Sequence, residues 1–160
     1  MRRTRKQWPG LALVALVMAY AAASAADDLA LASAPATSAN KFYVEDIKAA
    51  MTAYIAAEVD AAGVFHLRDD KTGEVLALKF VKIHDPVRRI GSDIYFACTD
   101  FHVVGTPDKL YDLDFWMNPH SGELEIYDSK VHKEPRWSLI YGWYKQPRYT
   151  FVNDNIVSLY

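Results

Sequence analysis

One cysteine, Cys98, among 160 residues excludes an intramolecular disulfide framework, so stability has to come from a packed core. Recognisable catalytic signatures are missing as well. No GxSxG, HExxH, GxGxxG or phosphate-loop sequence occurs, and no HxH, HxxxH or cysteine pair marks a committed metal site. Long apolar runs are also absent. The longest, Leu11–Ala23, falls well short of the roughly 20 residues that a bilayer core demands.

That short run has a definite meaning in its context. Arg2, Arg3, Arg5 and Lys6 precede it, and Ala23-Ser24-Ala25 closes it with small residues, the layout of a secretory signal peptide over residues 1–25. The expected location is therefore secreted and periplasmic. Removing this segment takes away four cations and no acid, leaving 14 Lys+Arg against 20 Asp+Glu, a formal −6. An acidic chain without a basic patch excludes nucleic acid as a partner class, and no membrane span is expected after signal removal.

Residues 26–40 are rich in Ala, Ser, Thr and Pro without a sustained period and read as a flexible leader to a single domain over 41–160. From Val44 the apolar residues Ile47, Met51, Tyr54, Ile55 and Val59 recur at spacings of three and four. Glu45 and Asp46 occupy the first turn, and Gly63 is the expected stop, giving an amphipathic helix of about 19 residues. The next hundred residues are rich in Val, Ile, Tyr, Phe and Trp and predict strands near 64–68, 74–84, 92–104, 109–118 and 123–132. The expected fold is α+β, with one N-terminal amphipathic helix packed on an antiparallel β-meander sheet of about five to seven strands.

Two internal echoes stand out. Thr72-Gly73-Glu74-Val75 followed by Lys82-Ile83-His84 is echoed by Ser121-Gly122-Glu123-Leu124 followed by Lys130-Val131-His132. Shared turn chemistry or a duplicated hairpin would each produce this. Lys133-Glu134-Pro135-Arg136-Trp137 is echoed twelve residues on by Lys145-Gln146-Pro147-Arg148-Tyr149, which predicts a further pair of short strands within an aromatic-rich tail over 133–160. That tail reads either as core completion or as an exposed stacking surface.

Strand alternation places Ile94, Phe96, Cys98, Asp100 and His102 on one face of the third strand. Joining it to Tyr111, Leu113, Phe115 and Met117 through a short turn sets Cys98 opposite Phe115 and His102 opposite Tyr111. The polar end of that face gathers Asp100, His102, Tyr111, Asp128, Lys130 and His132, the candidate ligand-binding residues. Asp112, Asp114 and Trp116 then belong to the outer face, as an exposed acidic strip against water or the tail. Asp100-x-His102 with His132 could hold a metal, which the sequence leaves open; no cofactor is called for, and no residue is assigned a catalytic role. Cys98 and His102, some 13 Å apart along a strand at about 3.3 Å per residue, cannot form a nucleophile and base pair.

The order of helix then hairpins, with Asp70-Lys71-Thr72-Gly73-Glu74-Val75 at a strand-to-strand turn, resembles secreted PepSY domains and, at the level of architecture, cystatin-like folds over residues 43–132. That resemblance implies a binding or inhibitory module of the cell envelope, and it carries over no functional residue. The chain departs from the PepSY pattern in its longer strands and aromatic tail. The expected function is a binding module for a small molecule or peptide. The alternatives are a metal-dependent or small-molecule enzyme in the same pocket, and a scaffold subunit that docks on an envelope protein partner through the tail.

Overall fold

The computed structural model describes residues 41–159, so the signal peptide and leader read from residues 1–40 lie outside the described residues. The described chain contains one helix and an antiparallel sheet. Helix α1 spans Val44–Glu58, and the strands are β1 Phe65–Arg68, β2 Val75–Ile83, β3 Arg88–Ile90, β4 Ile94–Val103, β5 Thr106–His120, β6 Glu123–Ser138, β7 Gly142–Pro147, β8 Tyr149–Val152 and β9 Asn155–Ser158. The main sheet runs β1-β2-β4-β5-β6-β7, with β3 paired to β4, while β8 and β9 form a separate hairpin.

Helix α1 is shorter than its apolar pattern predicts. Val59 already has an extended backbone and bridges to Phe65, so the chain leaves the helix one turn before Gly63, which instead makes a left-handed turn at φ 71. Ile47, Met51 and Ile55 form the buried stripe, while Asp46 accepts the Tyr43 N–H at 2.8 Å and closes the first turn. They pack on Phe65, Leu78, Tyr95, Ala97, Phe101, Leu113, Phe115 and Met117 from the inner face of the sheet. Phe101 and Phe115 sit 6.3 Å apart in a ring cluster that also takes in Phe65 and Tyr54.

The register of β4 on β5 differs from the expected one by a single residue, and the reason is local. Val103 pairs with Thr106 across the turn, yet His102 pairs with Leu110, so Pro107, Asp108 and Lys109 stand in β5 with nothing opposite them. An odd insertion reverses which face each residue of β5 presents, and Pro107 has no N–H to offer a ladder. Cys98 therefore lies opposite Asp114, with Ala97 opposite Phe115 and His102 opposite Leu110. Tyr111 pairs with Phe101 on the helix side. The expected exposed strip of Asp112, Asp114 and Trp116 is in fact buried.

That burial comes from the tail. Tyr149 and Phe151 of β8 pack with Phe96 and Trp116 into a second apolar cluster on the sheet face away from α1. The β8–β9 hairpin turns at Asn153 and Asp154, both with positive φ, a two-residue turn that Asn and Asp tolerate well. The repeated Lys-x-Pro segments pair with each other, Lys133 opposite Pro147 and Pro135 opposite Lys145. The strand content of the tail was expected; its division into an extension of β6, a new edge β7 and a covering hairpin was not.

Candidate functional site

The face under the β8–β9 hairpin concentrates titratable groups. Asp100 and Asp112 are cross-strand partners on β4 and β5, and Lys145 donates to both, at 2.7 Å for Asp100. Lys133 lies 2.7 Å from Asp112, and His84 Nε2 lies 2.9 Å from Asp100. Burial works to raise the Asp100 carboxyl, but its hydrogen bonds, those from Lys145 and His84 among them, outweigh that and hold it well below the usual carboxylate range.

One pair further along, the chemistry changes. Asp114 is fully buried and has no lysine or arginine in its ion pairs. Its Oδ2 accepts a hydrogen bond from Tyr149 Oη at 2.8 Å and lies 3.3 Å from His132 Nδ1, while Oδ1 has no hydrogen-bond partner. Cys98 Sγ is 4.0 Å from the same His132 Nδ1. Burial, then the neighbouring Asp114 carboxylate, push the Cys98 thiol far above its ordinary range. Tyr149, stacked on the His132 ring at 4.8 Å, is raised for the same two reasons.

His132 reaches this place through a bulge. Asp112 pairs with Lys133 and Leu113 with Val131, so His132 is an extra residue in β6, and two successive side chains serve neighbouring aspartates. The two Lys-aliphatic-His segments of the sequence echo flank the central β4–β5 pair, His84 at the end of β2 and His132 in β6.

Beyond this cluster lies a buried ion triad. Arg148 makes a bidentate contact with Asp69, at 2.6 and 2.7 Å, and its Nε donates to Glu134 at 2.6 Å. The Arg148 guanidinium holds the Asp69 carboxyl down at about 2.

On the opposite face, α1 and the end of the β5–β6 hairpin enclose a cleft of about 1070 Å³. Its helical wall is Ala49, Ala50 and Ala53, whose small side chains leave the volume open, with Phe42 and Tyr54 at the sides. The other wall is residues 120–126, including Leu124, Ile126, Glu123 and Glu125. Strand β7 pairs with β6 only from Lys133 onward, so residues 123–131 of β6 have β5 on one side and no strand on the other among the described residues.

The chain matches no family model, no curated protein and no solved structure. Among the described residues no helix is long and apolar enough to cross a membrane.

The six residues expected to share one pocket mouth divide among five places. Asp100 joins the lysine-neutralised acidic pair, and His132 joins Cys98 and Asp114. His102 sits near the β4–β5 turn, its Nδ1 3.1 Å from the Val103 carbonyl oxygen. Tyr111 is turned to the other face by the Pro107 bulge. Asp128 and Lys130 pair with each other at 3.5 Å, and Lys130 borders a cleft with Arg148 and Tyr149. Sequence reasoning missed His84, Cys98, Asp112, Asp114, Lys133, Lys145 and Tyr149. The repeated Lys-aliphatic-His and Lys-x-Pro patterns were the signal that could have found most of them.

Proposed function

We propose that the protein is a secreted, periplasmic, non-catalytic binding module that takes an extended peptide into the cleft between α1 and β6. The observation that carries this is the conjunction of an alanine-walled cleft with an unpaired strand edge. A free edge offers backbone donors and acceptors to an added strand, and the adjoining apolar wall supplies pockets for alternate side chains. Asp46, Glu123 and Glu125 line the cleft, which favours a peptide carrying basic residues beside its apolar ones. The resemblance to PepSY and cystatin-like modules points the same way.

Peptides selected from a displayed random library against the purified chain should alternate apolar and basic residues. Ala53 is exposed on the helical wall, so Ala53→Trp fills the cleft while costing the helix only a few tenths of a kcal/mol. The selected peptide should bind this variant at least roughly tenfold more weakly, about 1.4 kcal/mol, by calorimetric titration. Equal binding to a folded Ala53→Trp protein would remove the cleft from the argument.

A second reading rests on a separate observation. The turn between β6 and β7 carries Leu139, Ile140 and Tyr141 at 96%, 81% and 78% exposure beside an exposed Trp137. Such a cluster is an anchor for an envelope protein partner. A photo-crosslinking residue at position 140 in living cells should yield one dominant protein adduct, lost in Leu139→Ser with Trp137→Ser. Leu139 is almost fully exposed and Trp137 packs on the ring of Trp143 at the sheet edge, away from the buried core, so that double variant should stay folded with a small loss of melting temperature. An absence of adducts would refute this docking role.

A further inference from the structure

We propose that Cys98, Asp114 and His132 form a binding site for one zinc-like divalent cation on the sheet face opposite the peptide cleft. A ring nitrogen of His132, the Cys98 sulfur and a carboxylate oxygen of Asp114 all lie within 4.8 Å of one another. Tetrahedral zinc, at about 2.0 Å from nitrogen and about 2.3 Å from sulfur, sets its ligands about 3.3–3.8 Å apart. The observed separations of 3.3 Å for His132 to Asp114 and 4.0 Å for His132 to Cys98 need little adjustment.

The orientation of His132 separates a metal site from a catalytic triad. A Cys-His-Asp relay uses both ring nitrogens, one toward the thiol and the other toward the carboxylate. Here both contacts fall on Nδ1, so sulfur and oxygen converge on a single ring nitrogen, as ligands around one ion do.

Charge gives the second, independent argument. Among the described residues, Asp114 is fully buried, its Oδ1 has no hydrogen-bond partner, and no lysine or arginine forms an ion pair with it, its cross-strand neighbour Lys130 reaching Asp128 instead. A buried carboxylate whose ion-pair partner is an imidazole has no fixed counter-charge, and a bound cation supplies one. The neighbouring group of His84, Cys98 and Asp112 lacks that need, since Lys133 and Lys145 neutralise Asp112 and Asp100 occupies His84. Tyr149 donates to Asp114 and stacks on His132, which fixes two of the three ligands from outside.

On binding, the S–H bond of Cys98 breaks, the sulfur keeps the electron pair and forms the bond to the ion, and the proton leaves to solvent; nothing is oxidised or reduced. The test uses the full chain as the cell processes it, stripped with a chelator and titrated with zinc alone. One ion should bind per chain with release of about one proton, and zinc should raise the melting temperature. Cobalt in place of zinc should show a thiolate-to-metal charge-transfer band. Cys98→Ser, a near-isosteric change, should abolish that band, and both it and His132→Ala should weaken zinc binding by roughly 100-fold or more. His84→Ala should leave binding intact. Absence of binding, a cobalt band that survives in Cys98→Ser, or an equal loss in His84→Ala would each overturn the assignment.

Discussion

Replacing Arg148 with alanine should cost the domain about 3–5 kcal/mol, because it leaves Asp69 buried without its bidentate partner and Glu134 with Arg136 and, at 3.9 Å, Lys71 as its remaining cations. The effect exceeds the net worth of the ion pairs, since most of it is the cost of the two carboxylates left behind. Asp69 also shapes the β1–β2 turn, accepting the Lys71 N–H at 2.9 Å on its side chain and the Gly73 N–H at 2.8 Å on its carbonyl. A triple variant, Asp69→Asn, Glu134→Gln and Arg148→Met, removes all three charges together and should recover much of the loss. Urea unfolding of the two variants makes the comparison. A loss below about 1 kcal/mol in Arg148→Ala would mean that water reaches the carboxylates.

The same triad sets an acid limb. Asp69 is held at about 2, below its ordinary 3.8, so its contribution is fully present above the ordinary value and is lost as pH falls through about 2. That contribution is on the order of 2 kcal/mol. Glu134 is also lowered: burial opposes the shift, and the hydrogen bond and charge of Arg148 overcome it. The native chain should therefore lose stability steeply over that acid range, and Arg148→Ala, already without the pairing, should show a flatter limb.

Phe115→Ala should be comparably severe, at about 3–5 kcal/mol. The ring is fully buried between helix and sheet, with the rings of Tyr54, Phe65 and Phe101 6.0, 6.2 and 6.3 Å away. Close packing on every side prevents collapse into the space, so a cavity term adds to the lost transfer energy. Tyr54 leans on Phe115 and also lines the cleft beside α1, so affinity for the proposed peptide ligand should fall with stability. Tyr127→Ala, on an exposed ring, should stay within about 0.5 kcal/mol of native and serves as the control. A small effect at Phe115 would show that the helix does not depend on this ring.

The architecture was legible because it rests on periodicity. The spacing of Ile47, Met51 and Ile55 marks a helix, and the Gly73 and Gly122 turns mark hairpins, regardless of what packs where. The candidate site was not, because it depends on parity. Pro107, Asp108 and Lys109 add an odd count to β5, and Tyr127 and His132 each add one residue to β6; none of these bulges alters the hydrophobic pattern from which register is read. Asp112 and Asp114 alternate with Leu113 and Phe115 as a solvent face should. Only the covering hairpin of Tyr149 and Phe151, far along the chain, turns that face into an interior.

The Asp69–Arg148 bridge joins residues 79 positions apart, whereas most of the main sheet pairs neighbouring strands in chain order. Hairpins close early because little chain entropy opposes them, and a contact of such separation forms late. The triad should thus be nearly absent from the folding transition state and complete only in the native one. In stopped-flow mixing, Arg148→Ala should speed unfolding and leave the refolding rate close to that of the native chain. The buried arginine thus acts as a latch on native-state lifetime.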